Sequence, residues 1–217
     1  MNQIITLRRK LSDGLLEGSA LQVYVPRRRG ARHFEDTFSQ ALYLSKSLPD
    51  YGQQFAWDSA PAVAALVPAG AQVLTCPPAS RARRAAGFYF ARELTVAVAE
   101  GLTGDGDGRA VTVARPLRWA QEQIAGAGAA KQIMHQGGHG RKLGRRVECL
   151  EDLTGAEVVI IDDLWTSGAT AAVTAEALFQ VGAAAVFVVT LAATERTEAR
   201  PAEERERLRW RAEARRG

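Results

Sequence analysis

Two adjacent carboxylates, Asp162 and Asp163, stand directly after the run Val158-Val159-Ile160-Ile161. After Leu164 and Trp165 comes Thr166-Ser167-Gly168-Ala169-Thr170. Adjacent carboxylates at the edge of a core repel each other and lose hydration, so they require partners. Sugar hydroxyls or a hydrated Mg²⁺ would meet that requirement. A loop of small residues feeding a helix start makes an anion site, because its backbone N–H groups are unpaired and the helix dipole adds positive potential. The hydroxyls of Thr166, Ser167 and Thr170 add donors. No Gly-Lys-Ser/Thr follows, which excludes the triphosphate-cradling P-loop and leaves a loop sized for one phosphate. Phosphate, sugar hydroxyls and metal, in that order, outline a phosphoribosyl group.

The elements that would position these groups are legible on either side. Val158 to Ile161 is apolar and β-branched without alternation, as expected of a central strand buried on both faces of a parallel sheet. Downstream, Val173, Ala177, Leu178 and Val181 share one helical face, and Gly182 is a helix stop. Ala185 to Leu191 reads as another buried strand, which with Val158 to Ile161 makes a βαβ unit of right-handed sense.

The stretch from Glu157 to Gly182 resembles the phosphoribosyl-diphosphate (PRPP) signature of type I phosphoribosyltransferases: an apolar strand, two acidic residues, two variable residues, then Thr-Thr/Ser-Gly-Ala-Thr. The resemblance implies an α/β fold, a parallel sheet flanked by helices with a small N-terminal hood. It implies that Asp162 and Asp163 bind the ribose 2′- and 3′-hydroxyls, and meet Mg²⁺ indirectly through water or the ribose. Thr166, Ser167, Gly168, Ala169 and Thr170 would take the 5′-phosphate. Upstream, Gln72 to Cys76 reads as the first core strand, ended by Pro77-Pro78. Ala79-Ser80-Arg81-Ala82-Arg83-Arg84-Ala85-Ala86-Gly87 follows as a basic loop, placed to hold diphosphate at a strand's carboxyl end. Ser80 and Arg81 are the candidates there, with Arg81 also assigned a catalytic part. A proline-rich turn, an arginine cluster and Gly87-Phe88 are similar to the competence-associated ComF group. Tyr89-Phe90 stands where that group has Asn-Gln, and its N-terminal zinc-binding cysteines are absent.

Arg115 to Gly144 is long and glycine-rich, and loops of that length in compact domains are functional or disordered. The family places a mobile, water-excluding loop here. Lys131, Arg141 and Lys142 are its candidate diphosphate contacts, and His135 and His139 read as loop histidines. The reaction the resemblance implies is displacement of diphosphate from C1 of PRPP by a nitrogen nucleophile, with Mg²⁺ as cofactor. Asp162 and Asp163 would act as catalytic residues, Asp163 assisting as a base. The alternative is a non-catalytic PRPP or nucleotide-binding regulator, or a competence or DNA-handling accessory protein.

In the remaining chain, residues 1–70 read as the hood or appendage, 71–194 as the phosphoribosyltransferase core, and 195–217 as a charged helix or tail. Leu21 to Val25 reads as a strand and Arg27-Arg28-Arg29-Gly30 as a basic turn. Phe34 to Leu48 reads as a helix stopping at Pro49, and a short helix follows Pro61. A helix with Phe88, Ala91, Thr95, Val98 and Leu102 on one face precedes a surface turn at Gly101 to Gly108. Arg109 to Ala114 is the second core strand, and Val147 to Leu150 a short strand before the signature. At 217 residues the chain suits one α/β domain with an appendage. A net charge of +4 and pI ≈ 9.4 suit polyanionic small molecules. Nucleic acid is a lesser expectation, because few aromatics lie among the arginine clusters to form a stacking platform. Cys76 and Cys149 lack metal-ligand spacing. No apolar run reaches membrane-spanning length, and Met1-Asn2-Gln3 does not open a signal peptide. The expected setting is cytoplasmic, the expected assembly a homodimer.

Overall fold

The structure, a computed structural model, describes residues 4–11, 14–104, 110–114, 117–119 and 147–194. Its first elements are β1 (Ile5–Leu11), β2 (Gly14–Tyr24), a 3-10 turn at Arg27–Arg29, α1 (Ala31–Glu35), α2 (Thr37–Ser45) and α3 (Pro49–Ala64). Then come β3 (Val73–Thr75), α4 (Arg81–Ala85), α5 (Phe90–Gly104), β4 (Thr112–Val113), β5 (Arg118–Trp119) and β6 (Val147–Glu148). The last are β7 (Glu157–Trp165), α6 (Ala169–Gln180) and β8 (Ala185–Thr194).

The sheet runs β1-β2-β8-β7-β3-β4. All neighbours are parallel except the β1–β2 hairpin at the edge. The chain is therefore α/β with a mostly parallel mixed sheet flanked by helices. Strands β7 and β8 lie inside it, and Val158 to Ile161 are all fully buried. Their lack of alternation follows from burial on both faces. Val158 and Ile160 share one core with Ala171, Ala175 and Leu178 of α6. Val159 and Ile161 share the other with Leu42 of α2, Ala56 and Val63 of α3, and Leu94 and Val98 of α5. Helices thus cover both faces, with α6 opposite α2, α3 and α5.

The first 70 residues take part in this same sheet and core. β2 lies parallel to β8, from Glu17 against Phe187 to Tyr24 against Thr194. Leu7 and Leu16 of the hairpin are buried with Ala171 and Ala175. The approach of β2 to β8 is close at Gly18, where a Cβ would stand 2.1 Å from the Val188 carbonyl oxygen.

Several local expectations are corrected. Pro49 starts a helix instead of stopping one: it occupies the first turn of α3, where no N–H is needed. Pro61 lies inside α3 rather than before a new helix. One backbone hydrogen bond is lost there, offset by packing of Ala56, Ala60 and Val63. The basic stretch after β3 contains the short helix α4, with the Ser80 hydroxyl accepting from the Arg83 N–H at 3.4 Å. Val147–Glu148 pairs antiparallel with Arg118–Trp119 in a separate ribbon, outside the main sheet. The second core strand is reduced to Thr112–Val113.

Candidate functional site

Strands β3 and β7 stay paired only as far as Thr75 against Ile160. Cys76-Pro77-Pro78 then leads the β3 chain away, and prolines have no N–H with which to continue a ladder. β7 runs on beside β8 as far as Trp165 against Ala193. One flank of β7 beyond Ile160 is therefore left without a strand partner, and a crevice opens between the two chains. It lies where the chain order reverses: β4 is on one side of β3, and β7 with β8 on the other. Open α/β sheets bind ligands at such switch points, outside the carboxyl ends of their strands.

The acidic pair lies along this flank. Asp162 and Asp163 do not emerge from the strand, as the sequence suggests, but belong to it, with Asp162 opposite Thr190. β7 outlasts its apolar run because β8 continues beside it. Asp163 is buried, and its Oδ2 meets Lys46 Nζ at 2.9 Å and Arg83 Nη1 at 4.0 Å. Lys46 caps the end of α2, where a cation also faces the negative end of the helix dipole. Asp162 Oδ1 accepts the Asp163 backbone N–H at 2.8 Å. Part of Asp162 remains accessible, but its carboxyl is enclosed. Burial, then the charge of Asp163, raises its pKa well above the ordinary carboxylate range, against the lowering effects of that N–H, Lys46 and Arg83. The influence extends to its neighbours. Burial and then Asp162 push the Cys76 thiol up to about 12 and raise the Tyr89 phenol.

Beyond β7 the chain turns through Thr166, Ser167 and Gly168 into α6. Gly168 caps the helix with φ 70°, a left-handed conformation. A Cβ there would lie 2.4 Å from the Trp165 indole. The indole is buried and closes the inner side of the turn, so Trp165 packs and does not present a stacking face. Thr166 and Ser167 are exposed on the outer side. The first turn of α6 carries no acidic residue and no side-chain cap, and its amides Ala169 to Ala171 have no intrahelical acceptor. The one contact to Ala169 N–H is a long one, 3.4 Å from the Ser167 hydroxyl. Arg9 of β1 reaches the turn from across the sheet, its Nη1 donating to the Ser167 carbonyl at 2.9 Å. Two cationic influences, a guanidinium and a helix N-terminus, thus flank the same turn.

The opposite wall carries further arginines. A cavity of about 320 Å³ at the end of β3 is lined in part by Cys76, Ala79, Arg83, Arg84, Tyr89 and Arg92. Arg83 stands 5.5 Å from the Tyr89 ring centroid, and Arg84 Nη1 donates to the Ala79 carbonyl at 2.5 Å. Arg83 is also the group that approaches Asp163, so the cavity and the acidic pair adjoin. Ser80 lies at its rim on the α4 cap. Arg81 opens α4, but its side chain lies outside the described residues, as do Lys131, Arg141, Lys142, His135 and His139.

The structure brings together Asp162, Asp163, the 166–170 turn and the Arg83 end of the basic stretch. It adds Lys46 and Arg9, which sequence reasoning missed. Neither has a local signal: one ends a helix and the other lies in an edge strand, each far from the motif in sequence. Among the described residues, no three His, Cys, Asp or Glu side chains converge into a metal-binding set. With Asp163 paired to Lys46, the acidic pair fits indirect contact with a ligand-borne cation and not a protein-held one. No helix of the described residues is long and apolar enough to cross a membrane. No protein-family model matches the chain, and a search of curated proteins finds no match.

Proposed function

We propose that this protein binds PRPP in the crevice between β3 and β7, on a type I phosphoribosyltransferase fold, and transfers the phosphoribosyl group to a nitrogen nucleophile. The reading rests on one observation above all: the acidic pair and the start of α6 stand at the end of β7 where β3 has diverged, and Arg83, which lines the arginine-bearing cavity at the end of β3, comes within 4.0 Å of Asp163. PRPP has the matching order of groups, a monophosphate, a sugar diol and a diphosphate.

In this reading the turn amides of residues 166–170 anchor the 5′-phosphate. Asp162 and Asp163 orient the ribose hydroxyls. Ser80 and the arginines of the Arg81–Arg84 stretch take the diphosphate, with Lys131 and Arg141 as further candidates. The C1–oxygen bond to diphosphate breaks, its electron pair leaving with the diphosphate, and a nitrogen–C1 bond forms. The transition state carries positive charge on the sugar ring, so positioning and neutralisation of the leaving group are the protein's main tasks. The proton lost by the nucleophile falls to the acidic pair, of which Lys46 engages one oxygen of Asp163. Mg²⁺ would enter on the diphosphate, touching Asp162 and Asp163 only through water or the ribose, and supplies charge neutralisation.

A screen of nucleobases and related nitrogen compounds for diphosphate release from PRPP tests the proposal. Release with one acceptor, lost in Asp162→Asn, supports it. A rise in Tm with PRPP but no release with any acceptor would move the reading to a PRPP-binding regulator. No rise in Tm at millimolar PRPP would remove the ligand altogether.

A further inference from the structure

We infer that Lys46 is the residue that makes this site select ribose, by locking Asp163 in a sugar-reading orientation. The inference rests on the phosphoribosyl reading above and deepens it. Both cations near Asp163 converge on a single oxygen: Lys46 Nζ is 2.9 Å and Arg83 Nη1 4.0 Å from Oδ2. Among the described residues no group bonds Oδ1. The neighbouring Asp162 is held in a similar way, its Oδ1 occupied by the Asp163 backbone N–H at 2.8 Å. Each carboxylate thus has one oxygen engaged within the protein, and in this reading the sugar is met by the other. Two such oxygens on consecutive residues suit the two hydroxyls of a cis-diol, each hydroxyl donating one hydrogen bond.

A stabilising role alone does not account for the ion pair. Both side chains are largely removed from water, with 20% and 11% of their surface exposed. Desolvation of a pair at that depth offsets most of its Coulombic gain. What the pair supplies is orientation. A carboxylate whose Oδ2 is held by an ammonium group at 2.9 Å has its rotation restrained. Lys46 also comes from α2, in the N-terminal part of the chain, so the sugar-reading carboxylate of β7 is set by a helix that packs on the sheet from outside the motif. Lys46 touches Asp163 and not the reacting atoms; it is a positioning residue.

Calorimetric titration with ribose 5-phosphate, 2-deoxyribose 5-phosphate and xylose 5-phosphate tests this. The second lacks the 2-hydroxyl, and the third inverts the 3-hydroxyl. The full chain is expected to prefer ribose 5-phosphate over at least one of the others by about tenfold, the value of a hydrogen bond to a charged acceptor. Lys46→Met is expected to compress that ratio to within about threefold while still binding all three through their phosphate. Lys46→Arg is expected to restore it. If Lys46→Met does not fold, Lys46→Gln, whose neutral amide is one bond shorter and falls short of Oδ2, takes its place with the same expected compression. An unchanged ratio in a folded Lys46→Met or Lys46→Gln variant overturns the inference and leaves the phosphoribosyl reading standing. So does a full-length protein that binds all three sugars equally. Failure of the unaltered protein to bind any of them overturns the phosphoribosyl reading itself.

Discussion

Replacing Asp162 by Asn should stabilise the ligand-free protein at neutral pH, whereas the same change at Asp163 should destabilise it. Asp162 has an enclosed carboxyl whose ionised form is disfavoured by burial and by the charge of Asp163. Its pKa is higher folded than unfolded, so the folded chain holds the proton more tightly. That contribution to stability is complete below the ordinary carboxylate range and is lost as pH rises towards the folded pKa. At neutral pH the residue is therefore a net cost. The adjoining Lys46 and Arg83, and the accessible part of the residue, moderate it. Discounted for solvent screening, the penalty is on the order of 1.4–2.7 kcal/mol. For a chain of this length that is a rise in Tm of about 3–10 °C. Asn keeps the shape and an acceptor for the Asp163 N–H. Asp163→Asn removes the partner of Lys46 instead, and should cost about 1–3 kcal/mol, since Lys46 is left at depth without its carboxylate. Melting curves from about pH 4 to about pH 8 measure both, because that interval spans the unperturbed carboxylate value and neutrality. The gain in Asp162→Asn should shrink towards the acid end. A loss of stability in Asp162→Asn at neutral pH, or a gain that does not change with pH, would refute the reasoning.

Gly168→Ala should cost about 1–3 kcal/mol, combining left-handed strain with a clash against the buried Trp165 indole, and should weaken phosphate binding in the same titration. Gly18→Ala should destabilise the fold by about 2–4 kcal/mol, more than most surface changes, because the new methyl would meet the Val188 backbone and not a side chain able to move; an unchanged Tm would show that β2 can shift from β8 without loss. Arg9→Ala should weaken binding of inorganic phosphate and ribose 5-phosphate alike, about threefold to tenfold, and flatten the salt dependence of both. Equal affinities at low salt would remove Arg9 from the anion site.

By itself the sequence determined the central βαβ unit and the groups it presents. Val158 to Ile161 is apolar without alternation because both faces of β7 are covered. That fact is local, as are the turn residues 166–168, the α6 helix start, and Pro77-Pro78 as the end of β3. Of the N-terminal hairpin only the end of β2 was legible, as the strand expected at Leu21 to Val25. That β2 joins β8 was not, because strand order depends on which apolar faces remain uncovered once the rest has packed. Pro49 and Pro61 misled for a related reason. Pro49 is equally at home in a helix's first turn, and at Pro61 only packing of Ala56, Ala60 and Val63 decides that α3 runs on past it. Tertiary structure alone decided the company of the two aspartates. Charge interactions act through space, and nothing near Asp163 in the chain announces that Lys46, on a helix more than a hundred positions earlier, holds one of its oxygens. Nor does anything near Ser167 point to Arg9. The packing of distant elements around the motif set the orientation and charge of each group.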